Sequence, residues 1–219
     1  MKKSSALSSS LIITSFHLDE AMFNMTFKCV LSIDNDRKPD EVIIVDDCSP
    51  YRKEIFSVDK YVWRQTNGGF PECANSGFEA ATGDVLILSN NDIEYTPGWL
   101  DAILAPLKIG YDISSIRVSD SDGETTENMI TDDDYFGSLW AMKRKVYETI
   151  GGFDERFKNG TFEDKDFYVR AKDAGFRVAK NHAAFVKHKG RATMDKIYKN
   201  QEDFKANAQR FKEKWGYIL

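Results

Sequence analysis

Residues 83–92 read Gly-Asp-Val-Leu-Ile-Leu-Ser-Asn-Asn-Asp, an apolar run that ends in two amides and a carboxylate. A run of this length and composition predicts a buried central strand of a sheet. Residues 41–47, Glu-Val-Ile-Ile-Val-Asp-Asp, form a second such strand that closes on two acids. Ligands of open α/β sheets bind beyond the carboxyl ends of the strands, and hard divalent cations prefer oxygen ligands. The two endings therefore predict a metal and phosphate site at one edge of the sheet.

Strand-like and helix-like segments alternate along the first half of the chain. The strand patterns cover residues 11–15, 41–46, 61–65 and 84–89, and the helix patterns cover residues 19–33, 71–81 and 97–107. Pro71 and Pro97 stand where two of these helices begin, which is a preferred position for proline. The alternation predicts βαβ units, and hence a Rossmann-like α/β domain with a mostly parallel central sheet and helices on both faces.

The second half of the chain has shorter strands and loops. An acidic segment at residues 119–134 predicts a solvated loop, because runs of like charge repel one another; a second metal site and a lid on the acceptor side are the alternatives. A strand is predicted at residues 137–142, followed by a helix at 143–150 that ends at a pair of glycines. A charged amphipathic helix is predicted from about residue 195 to residue 215.

Length and composition indicate one globular domain. The chain has 219 residues, of which 42% are hydrophobic and 30% are charged, so it can bury a sizeable core without disulfides. Residues 1–9 are expected to be a disordered terminus, and residues 10–219 to form the domain. We expect no transmembrane segment, because no apolar stretch is long enough to span a bilayer.

The net charge limits the classes of binding partner, and the cysteines indicate the cellular compartment. The formal net charge of −5 argues against general binding of nucleic acids or anionic membranes. The three cysteines are odd in number and lack CxxC spacing, which excludes a disulfide framework and makes structural zinc improbable. A reducing, cytoplasmic location is therefore expected.

Four motifs in order along the chain are the most specific features of the sequence. They are Val-Asp-Asp-Cys-Ser at residues 45–49, Asn-Asn-Asp at 90–92, Gly-Gly-Phe-Asp-Glu at 151–155 and Phe-Glu-Asp-Lys-Asp at 162–166. In order and spacing they resemble the motifs of family 2 glycosyltransferases with the GT-A fold, and the resemblance covers roughly residues 10–190. It implies the fold of that family and the transfer of a sugar from a nucleotide donor.

The resemblance implies a nucleotide pocket beside the first two strands. Its candidate residues are Thr14, Ser15, Asp46, Asp47, Asn67, Asn75 and Asn91. Asp47 would hydrogen-bond the nucleobase, whereas Asp46 would either contact the ribose or be structural. His17, just past the first strand, is a further candidate for a nucleotide contact. UDP is the family's commonest donor nucleotide, and GDP and dTDP are the alternatives.

Asp92 and His188 are the candidate metal ligands implied by the resemblance. Asp92 matches the last acid of the DxD-like motif, and an imidazole is a reasonable ligand for Mn²⁺ or Mg²⁺. Asn90 departs from the motif, because an amide there replaces the first carboxylate and removes one negative charge. The alternatives are a helix cap for Asp92 and an exposed side chain for His188.

Asp164 is expected to be the general base. A carboxylate suits this role because the acceptor hydroxyl loses its proton as its oxygen attacks the anomeric carbon, with inversion. Glu163 is the alternative base or a ligand of the acceptor. Both acids would also be favourable at a helix N-terminus without any catalytic role. Asp166 and Arg170 have i,i+4 spacing and are expected to form an ion pair.

Trp140 and Asn90 are candidate contacts with the donor or acceptor sugar. Trp140 lies in the predicted strand that, in the family, runs beside the sugars. The alternative for a tryptophan in a strand is packing in the core.

The predicted function is therefore an inverting glycosyltransferase that uses a nucleoside diphosphate sugar, a divalent metal and a hydroxyl acceptor. The acceptor could be a glycan, a lipid-linked molecule or a protein, and the short chain predicts a soluble acceptor, a partner protein or a fragment of a longer polypeptide. The alternative is a noncatalytic module that binds sugar nucleotides or glycans, which Asn90 favours and the retained Glu163–Asp164 pair disfavours. A nucleotidyltransferase would need a glycine-rich phosphate loop after the first strand, and none is found.

Overall fold

A computed structural model describes most of the chain, namely residues 7–33, 37–53, 57–120, 129–132, 137–188 and 201–217. Much of the acidic segment predicted as a loop lies outside these residues. So do residues 1–6 of the predicted disordered terminus and the first part of the predicted C-terminal helix.

Strands and helices alternate through the first half of the molecule, as predicted. The strands are β1 (Ser9–Ser15), β2 (Glu41–Asp46), β3 (Lys60–Trp63), β4 (Val85–Asn90), β5 (Ile93–Tyr95), β6 (Ile113–Ser119), β7 (Ile130–Asp132), β8 (Leu139–Lys143) and β9 (Val178–His188). The helices of the described residues are α1 (Glu20–Ser32), α2 (Phe70–Ala80), α3 (Trp99–Lys108), α4 (Arg144–Ile150), α5 (Glu163–Asp173) and α6 (Gln201–Trp215).

The strands form one sheet in the order β3-β2-β1-β4-β8-β6-β9-β5, with β7 paired to β9. β3, β2, β1 and β4 are mutually parallel, and β8 runs antiparallel to both β4 and β6. β6 pairs in parallel with β9, whereas β5 and β7 are antiparallel to β9. The predicted α/β fold is confirmed, with a mixed sheet in which four pairings of the described strands are parallel and four are antiparallel.

Side-chain alternation along β1 divides the core between the two faces of the sheet. Leu11 and Ile13 belong to the cluster that packs α1 and α3 against one face. Ile12 belongs to the cluster on the opposite face, which includes residues of α2, α4 and α5. Because β1 is covered on both faces, all seven of its residues are buried. The strands that deliver the predicted site residues are thus among the most deeply packed.

Several element boundaries differ from the predictions. β1 begins at Ser9, which is buried in the sheet and so does not belong to a disordered terminus. α3 begins at Trp99 and not at residue 97, because Gly98 has a positive φ of 79° that is incompatible with a helix. β9 was not predicted as a strand of 11 residues. Its pairing with β6 shifts register between Ile116 and Arg117, and its sequence accordingly lacks strict alternation.

The C-terminal helix packs against the start of α5. A third hydrophobic cluster joins them through Phe157, Phe162, Val169 and Phe211. In the parts of the chain that the structure describes, no helix is both long and apolar enough to cross a bilayer.

Candidate functional site

Three parallel strands end together at one edge of the sheet. Ser15 of β1 lies opposite Asp46 of β2, and Thr14 lies opposite Asn90 of β4. The chain adds β2 and β3 on one side of β1 and then crosses through α2 to place β4 on the other side, so β1 and β4 flank a topological switch point. Crevices of this kind are where open α/β sheets bind ligands. The structure therefore brings together the strand ends on which most of the predicted site residues lie.

Asp47 holds the loop that follows β3 against the end of β2. Its carboxylate accepts hydrogen bonds from the N–H groups of Gly68 and Gly69, at 3.1 and 2.8 Å, and from Nη1 of Arg64 at 2.9 Å. The Asn67 amide donates to the Asp47 carbonyl oxygen at 3.1 Å. Asp47 is only 3% exposed, and this burial raises the pKa of its carboxyl group. The hydrogen bonds from Gly68 and Gly69 and the charge of Arg64 oppose that shift. Asp47 and Asn67 thus organise one wall of the crevice.

Asp46 lies deeper, without access to solvent. It accepts hydrogen bonds from the Ser49 N–H at 2.7 Å and from the Tyr61 hydroxyl at 2.6 Å. Of the two roles considered for Asp46, the structural one fits this position. The adjacent Ser15 hydroxyl donates to the Val45 carbonyl at 3.2 Å and is also buried.

A buried polar network connects α1 with the ends of β1 and β4. The Asn91 amide donates to Thr26 Oγ1 at 2.7 Å, and His17 Nε2 lies 2.7 Å from the same oxygen. His17 Nδ1 lies 3.3 Å from Ser49 Oγ. Burial lowers the pKa of His17, although the charge of nearby Asp46 opposes this shift. Asn91 and His17 were both predicted to contact the nucleotide. Their side chains instead bond to Thr26 and Ser49 in a buried layer beneath the crevice.

Asp92 and His188 meet because β5 pairs with β9. Ile93 lies opposite His188 in this ladder, which places Asp92 Oδ1 2.9 Å from His188 Nε2. Asp92 is 8% exposed, and within the described part of the chain neither of these two atoms has a hydrogen-bond partner of acceptable geometry. Two buried, unsatisfied ligand atoms at this separation fit neighbouring ligands of an octahedral cation, which lie about 3 Å apart when each bond is about 2.1 Å.

Ser138 supports this pair and was not recognised from the sequence. Its hydroxyl lies 3.3 Å from His188 Nδ1, and its carbonyl accepts the Asn90 N–H at 3.0 Å. A partner on one ring nitrogen of a histidine leaves the other nitrogen available to a metal. No local signal marks Ser138, because only the pairing of β8 with β4 and the tertiary contact with His188 bring it to the site. Within the described ranges, no group of three or more His, Cys, Asp or Glu side chains could hold a metal.

Glu163 and Asp164 open α5, but their surroundings differ. Glu163 is 4% exposed, and its Oε2 has no hydrogen-bond partner among the described residues. Burial, together with the charge of Asp164, raises the pKa of Glu163 well above its ordinary value. Asp164 is only half-buried and accepts a hydrogen bond from the Lys165 N–H at 2.7 Å. A raised pKa favours the protonated form of Glu163, which cannot accept a further proton, and this favours Asp164 as the base.

Asn75 joins α2 to the Gly-Gly-Phe-Asp loop. Its amide donates to the Phe153 carbonyl at 3.0 Å and to Glu155 Oε1 at 2.9 Å, and its Oδ1 accepts the Phe153 N–H at 2.8 Å. A Cβ on Gly152 would lie 2.1 Å from Asn75 Oδ1, so only glycine allows this approach. The Asn75 side chain is thus used to hold the loop, which does not fit the predicted nucleotide contact.

The predicted ion pair between Asp166 and Arg170 is confirmed. Arg170 Nε donates to Asp166 Oδ2 at 2.8 Å. The other guanidinium nitrogens of Arg170 donate to the carbonyls of Ile150 and Gly152, both at 2.7 Å. This arginine therefore joins α4, the loop after it and α5.

Trp140 lies in the core of the protein. The residue is 3% exposed, and its ring contacts those of Phe78, Phe153 and Phe167. The expectation that Trp140 contacts the donor or acceptor sugar is corrected by this position. Asn90, the other candidate for such a contact, stays at the crevice and is partly exposed.

Solved structures with the same fold include several that contain nucleotides. GalNAc-T7 with UDP, GalNAc and Mn²⁺ aligns with a TM-score of 0.70 and 17% identity over 83% of this chain and 43% of its own. TarS 1–349 from S. aureus in complex with UDP-GlcNAc aligns with a TM-score of 0.67 and 17% identity, over 93% of this chain and 65% of its own. The mannosyltransferase PcManGT from Pyrobaculum calidifontis, in complex with GDP-Man and Mn²⁺, aligns with a TM-score of 0.64 and 14% identity, over 93% of this chain and 68% of its own.

Sequence comparison identifies the family. No curated protein matches the sequence. The profile described as Glycosyl transferase family 2 matches residues 10–174, which is most of the chain and includes the four motifs. The profile match shows that the chain belongs to glycosyl transferase family 2, and the solved structures show that it has the GT-A fold.

Proposed function

We propose that the protein is an inverting glycosyltransferase that moves a sugar from a nucleoside diphosphate donor to a hydroxyl group of an acceptor. The observation that carries the proposal is the buried pair of Asp92 Oδ1 and His188 Nε2, 2.9 Å apart and without hydrogen bonds among the described residues. Asp92 follows the end of β4 and Asp47 follows the end of β2, so both lie at the edge of the sheet where a nucleotide would bind. Family membership supports the same activity.

UDP is the proposed donor nucleotide, with GDP as the principal competitor. The structures of GalNAc-T7 and TarS contain UDP or UDP-GlcNAc, and that of PcManGT contains GDP-Man. The carboxylate of Asp47 could accept the imino N–H of either uracil or guanine. The strand ends at Thr14 and Ser15 would line the same pocket.

Asp92 and His188 would hold Mn²⁺ or Mg²⁺. When bound, the cation would stabilise the negative charge of the departing diphosphate. Ser138 would keep the ring of His188 oriented with Nε2 toward this position. Two protein ligands leave room for oxygens of the nucleotide and water, and Mn²⁺ in the structures of GalNAc-T7 and PcManGT supports the choice of cation.

Asp164 would act as the general base. It would take the proton of the acceptor hydroxyl while the oxygen forms its bond to the anomeric carbon, and the bond from that carbon to the diphosphate oxygen breaks on the opposite face. Displacement in one step inverts the anomeric configuration. Burial favours the protonated form of Glu163, and in that form it would offer a hydrogen-bond donor next to the base in sequence.

The decisive experiment measures nucleotide release from UDP-, GDP- and dTDP-sugars with Mn²⁺, in the wild type and in Asp164→Asn. We expect release with one nucleotide and a loss of roughly a hundredfold or more in the variant, with nucleotide affinity by calorimetry unchanged. Turnover that persists in Asp164→Asn would reject this base, and the absence of both binding and turnover would reject the donor site.

A noncatalytic binding module is the second candidate, and Asn90 is the observation that favours it. An amide in place of the first acid of the motif weakens the attraction for a hard cation. Such a module would bind a nucleotide sugar in the calorimeter and release no nucleotide, even with excess Mn²⁺. Recovery of turnover in Asn90→Asp would then identify the lost carboxylate as the cause.

A cytoplasmic location is also proposed. Cys29, Cys48 and Cys73 are all free thiols in the structure, as is typical of proteins in a reducing compartment.

A further inference from the structure

The backbone just before α5 is held in an unusual conformation. Asn159, Gly160 and Phe162 all have positive φ angles, of 62°, 75° and 69°. Asparagine tolerates the left-handed region, but a phenylalanine there is uncommon. Such conformations persist where the surrounding structure imposes them, and they are concentrated at functional sites. Residues 158–161, which we call the base turn, therefore need an external support to present α5 in one direction.

Asn207 of α6 supplies that support. Its Nδ2 donates to the Lys158 carbonyl at 2.6 Å and to Thr161 Oγ1 at 2.8 Å, and its Oδ1 accepts the Lys158 N–H at 3.2 Å. Asn207 is 1% exposed, so these bonds are made without competition from water. Both ends of the base turn are thereby bonded to one side chain.

Neighbouring residues of α6 orient that side chain and strengthen the same junction. Arg210 Nη1 donates to Asn207 Oδ1 at 2.8 Å, and Asp203 accepts a bond from the Asn159 amide at 2.6 Å. One turn further along, Lys214 Nζ lies 2.7 Å from Asp166 Oδ1, and the Trp215 indole donates to the same oxygen at 2.9 Å. α6 therefore contacts the chain on both sides of Asp164, at the base turn before it and at Asp166 of α5 after it.

We propose that Asn207 is a positioning residue for the general base: by bonding both ends of the base turn, it sets the direction in which α5 presents Asp164 to the acceptor. The proposal rests on the proposed function, in which Asp164 takes the acceptor proton. It adds a role for the C-terminal helix, which lies beyond the region matched by the family profile at residues 10–174.

The test compares Asn207→Ala with the wild type in two measurements. With the donor that the wild type accepts, kcat should fall roughly ten- to hundredfold in the variant while the KM for the donor stays unchanged, because a small displacement of a catalytic group is costly and the donor binds at the strand ends. In hydrogen–deuterium exchange, amides of residues 157–166 should exchange faster, with β1, β2 and β4 unaffected.

Two further variants separate positioning from general stability. Asn207→Asp has the same shape but turns a carboxylate oxygen toward the Lys158 carbonyl, which repels it, so its kcat should be at least as low as that of Asn207→Ala. Leu107→Ala creates a cavity under α3, on a different element from the base turn, and should lower the melting temperature. Its kcat should equal that of the wild type when both are assayed about 20 degrees below the melting temperature of the variant.

Each outcome bears on the proposal. An unchanged kcat in Asn207→Ala, with only a lower melting temperature as in Leu107→Ala, would overturn the positioning role, and so would unchanged exchange at residues 157–166. Full turnover in Asp164→Asn would instead reject Asp164 as the base. If Asn207→Ala then showed faster hydrogen exchange only in the base turn, Asn207 would still be shown to hold that turn.

Discussion

Unsatisfied buried atoms coincide with the predicted site residues. In the described part of the chain, four buried side-chain atoms lack a hydrogen-bond partner, and three of them belong to Asp92, Glu163 and His188. The fourth is the indole nitrogen of Trp99 in the core, for which we have no physical account. Asp92 Oδ1 and His188 Nε2 face each other at 2.9 Å, and because an unsatisfied buried polar atom is unfavourable, we interpret these groups as ones that a ligand or a proton completes.

The metal pair gives the first prediction. We expect Asp92→Asn and His188→Gln each to weaken the binding of Mn²⁺, measured calorimetrically in the presence of UDP, by roughly tenfold or more, since each removes one of two protein ligands. Asp101→Asn is the control, because Asp101 is an exposed acid paired with Arg37 on the surface. Equal Mn²⁺ affinity in all four proteins would rule out this pair as the metal site.

The second prediction concerns Glu163 and pH. Its pKa in the folded protein lies well above the ordinary value of 4.5, so between these two values the folded state holds one more proton than the unfolded state. The free energy of unfolding contributed by Glu163 therefore falls as pH rises through this interval, by up to about 1.4 kcal/mol per pH unit.

Glu163→Gln removes this titration. We expect urea denaturation between pH 5 and pH 8 to show the variant gaining stability relative to the wild type as pH rises. Glu148→Gln, at an exposed position on α4, should follow the wild type across the range. A constant difference between Glu163→Gln and the wild type would show that Glu163 is ionised in the folded protein at all these pH values.

At the scale of elements, the close contact between α2 and β1 gives the third prediction. A Cβ on Gly77 would lie 2.2 Å from Ile12 Cγ2 and 3.1 Å from Val45 Cγ2, in a fully buried layer. Overpacking costs about 1–3 kcal/mol, whereas replacing a helical glycine with alanine gains up to about 1 kcal/mol. We therefore expect Gly77→Ala to lower the free energy of unfolding by about 1–2 kcal/mol, measured with urea.

Ser76→Ala, one residue earlier on the same helix, is the matched control. It removes a hydrogen bond from the Ser76 hydroxyl to the Glu72 carbonyl at 2.9 Å and gains helix propensity, so its net effect should stay within about 0.5 kcal/mol. If Gly77→Ala were as stable as this control, α2 would have to move away from β1 at no cost.

For the whole molecule, the fourth prediction is cooperative stabilisation by the nucleotide and the metal. Among the described residues Asp92 and His188 by themselves form an incomplete site, so Mn²⁺ alone and UDP alone should each raise the melting temperature only slightly. Together, at about a hundred times the apparent dissociation constant, they should add roughly 2.7 kcal/mol of stability and raise the melting temperature by about 5–10 °C.

EDTA should remove most of this joint shift, and Asp92→Asn should not show it. Additive effects of Mn²⁺ and UDP in the wild type would mean that the two bind at separate positions. A joint shift with GDP in place of UDP would identify the other donor nucleotide and retain the metal pair.

The sequence by itself determined the central part of the fold. The apolar runs of β1, β2 and β4, the helix patterns of α1 and α2, and the acid-rich start of α5 are local signals, because periodicity and end preferences act within a few residues. The order of the motifs then indicated the family and most of the candidate site, including Asp92 and His188. The i,i+4 pair of Asp166 and Arg170 was likewise readable from spacing alone.

Tertiary structure alone decided how residues distant in sequence meet. The pairing of β5 with β9 places His188 beside Asp92, and the packing of α6 on α5 brings Asn207 to Lys158. The same packing assigned Trp140 to the core and Asn75 to the Gly-Gly-Phe-Asp loop, against expectation. Strand register and side-chain packing depend on contacts across the whole chain, and no local pattern encodes them.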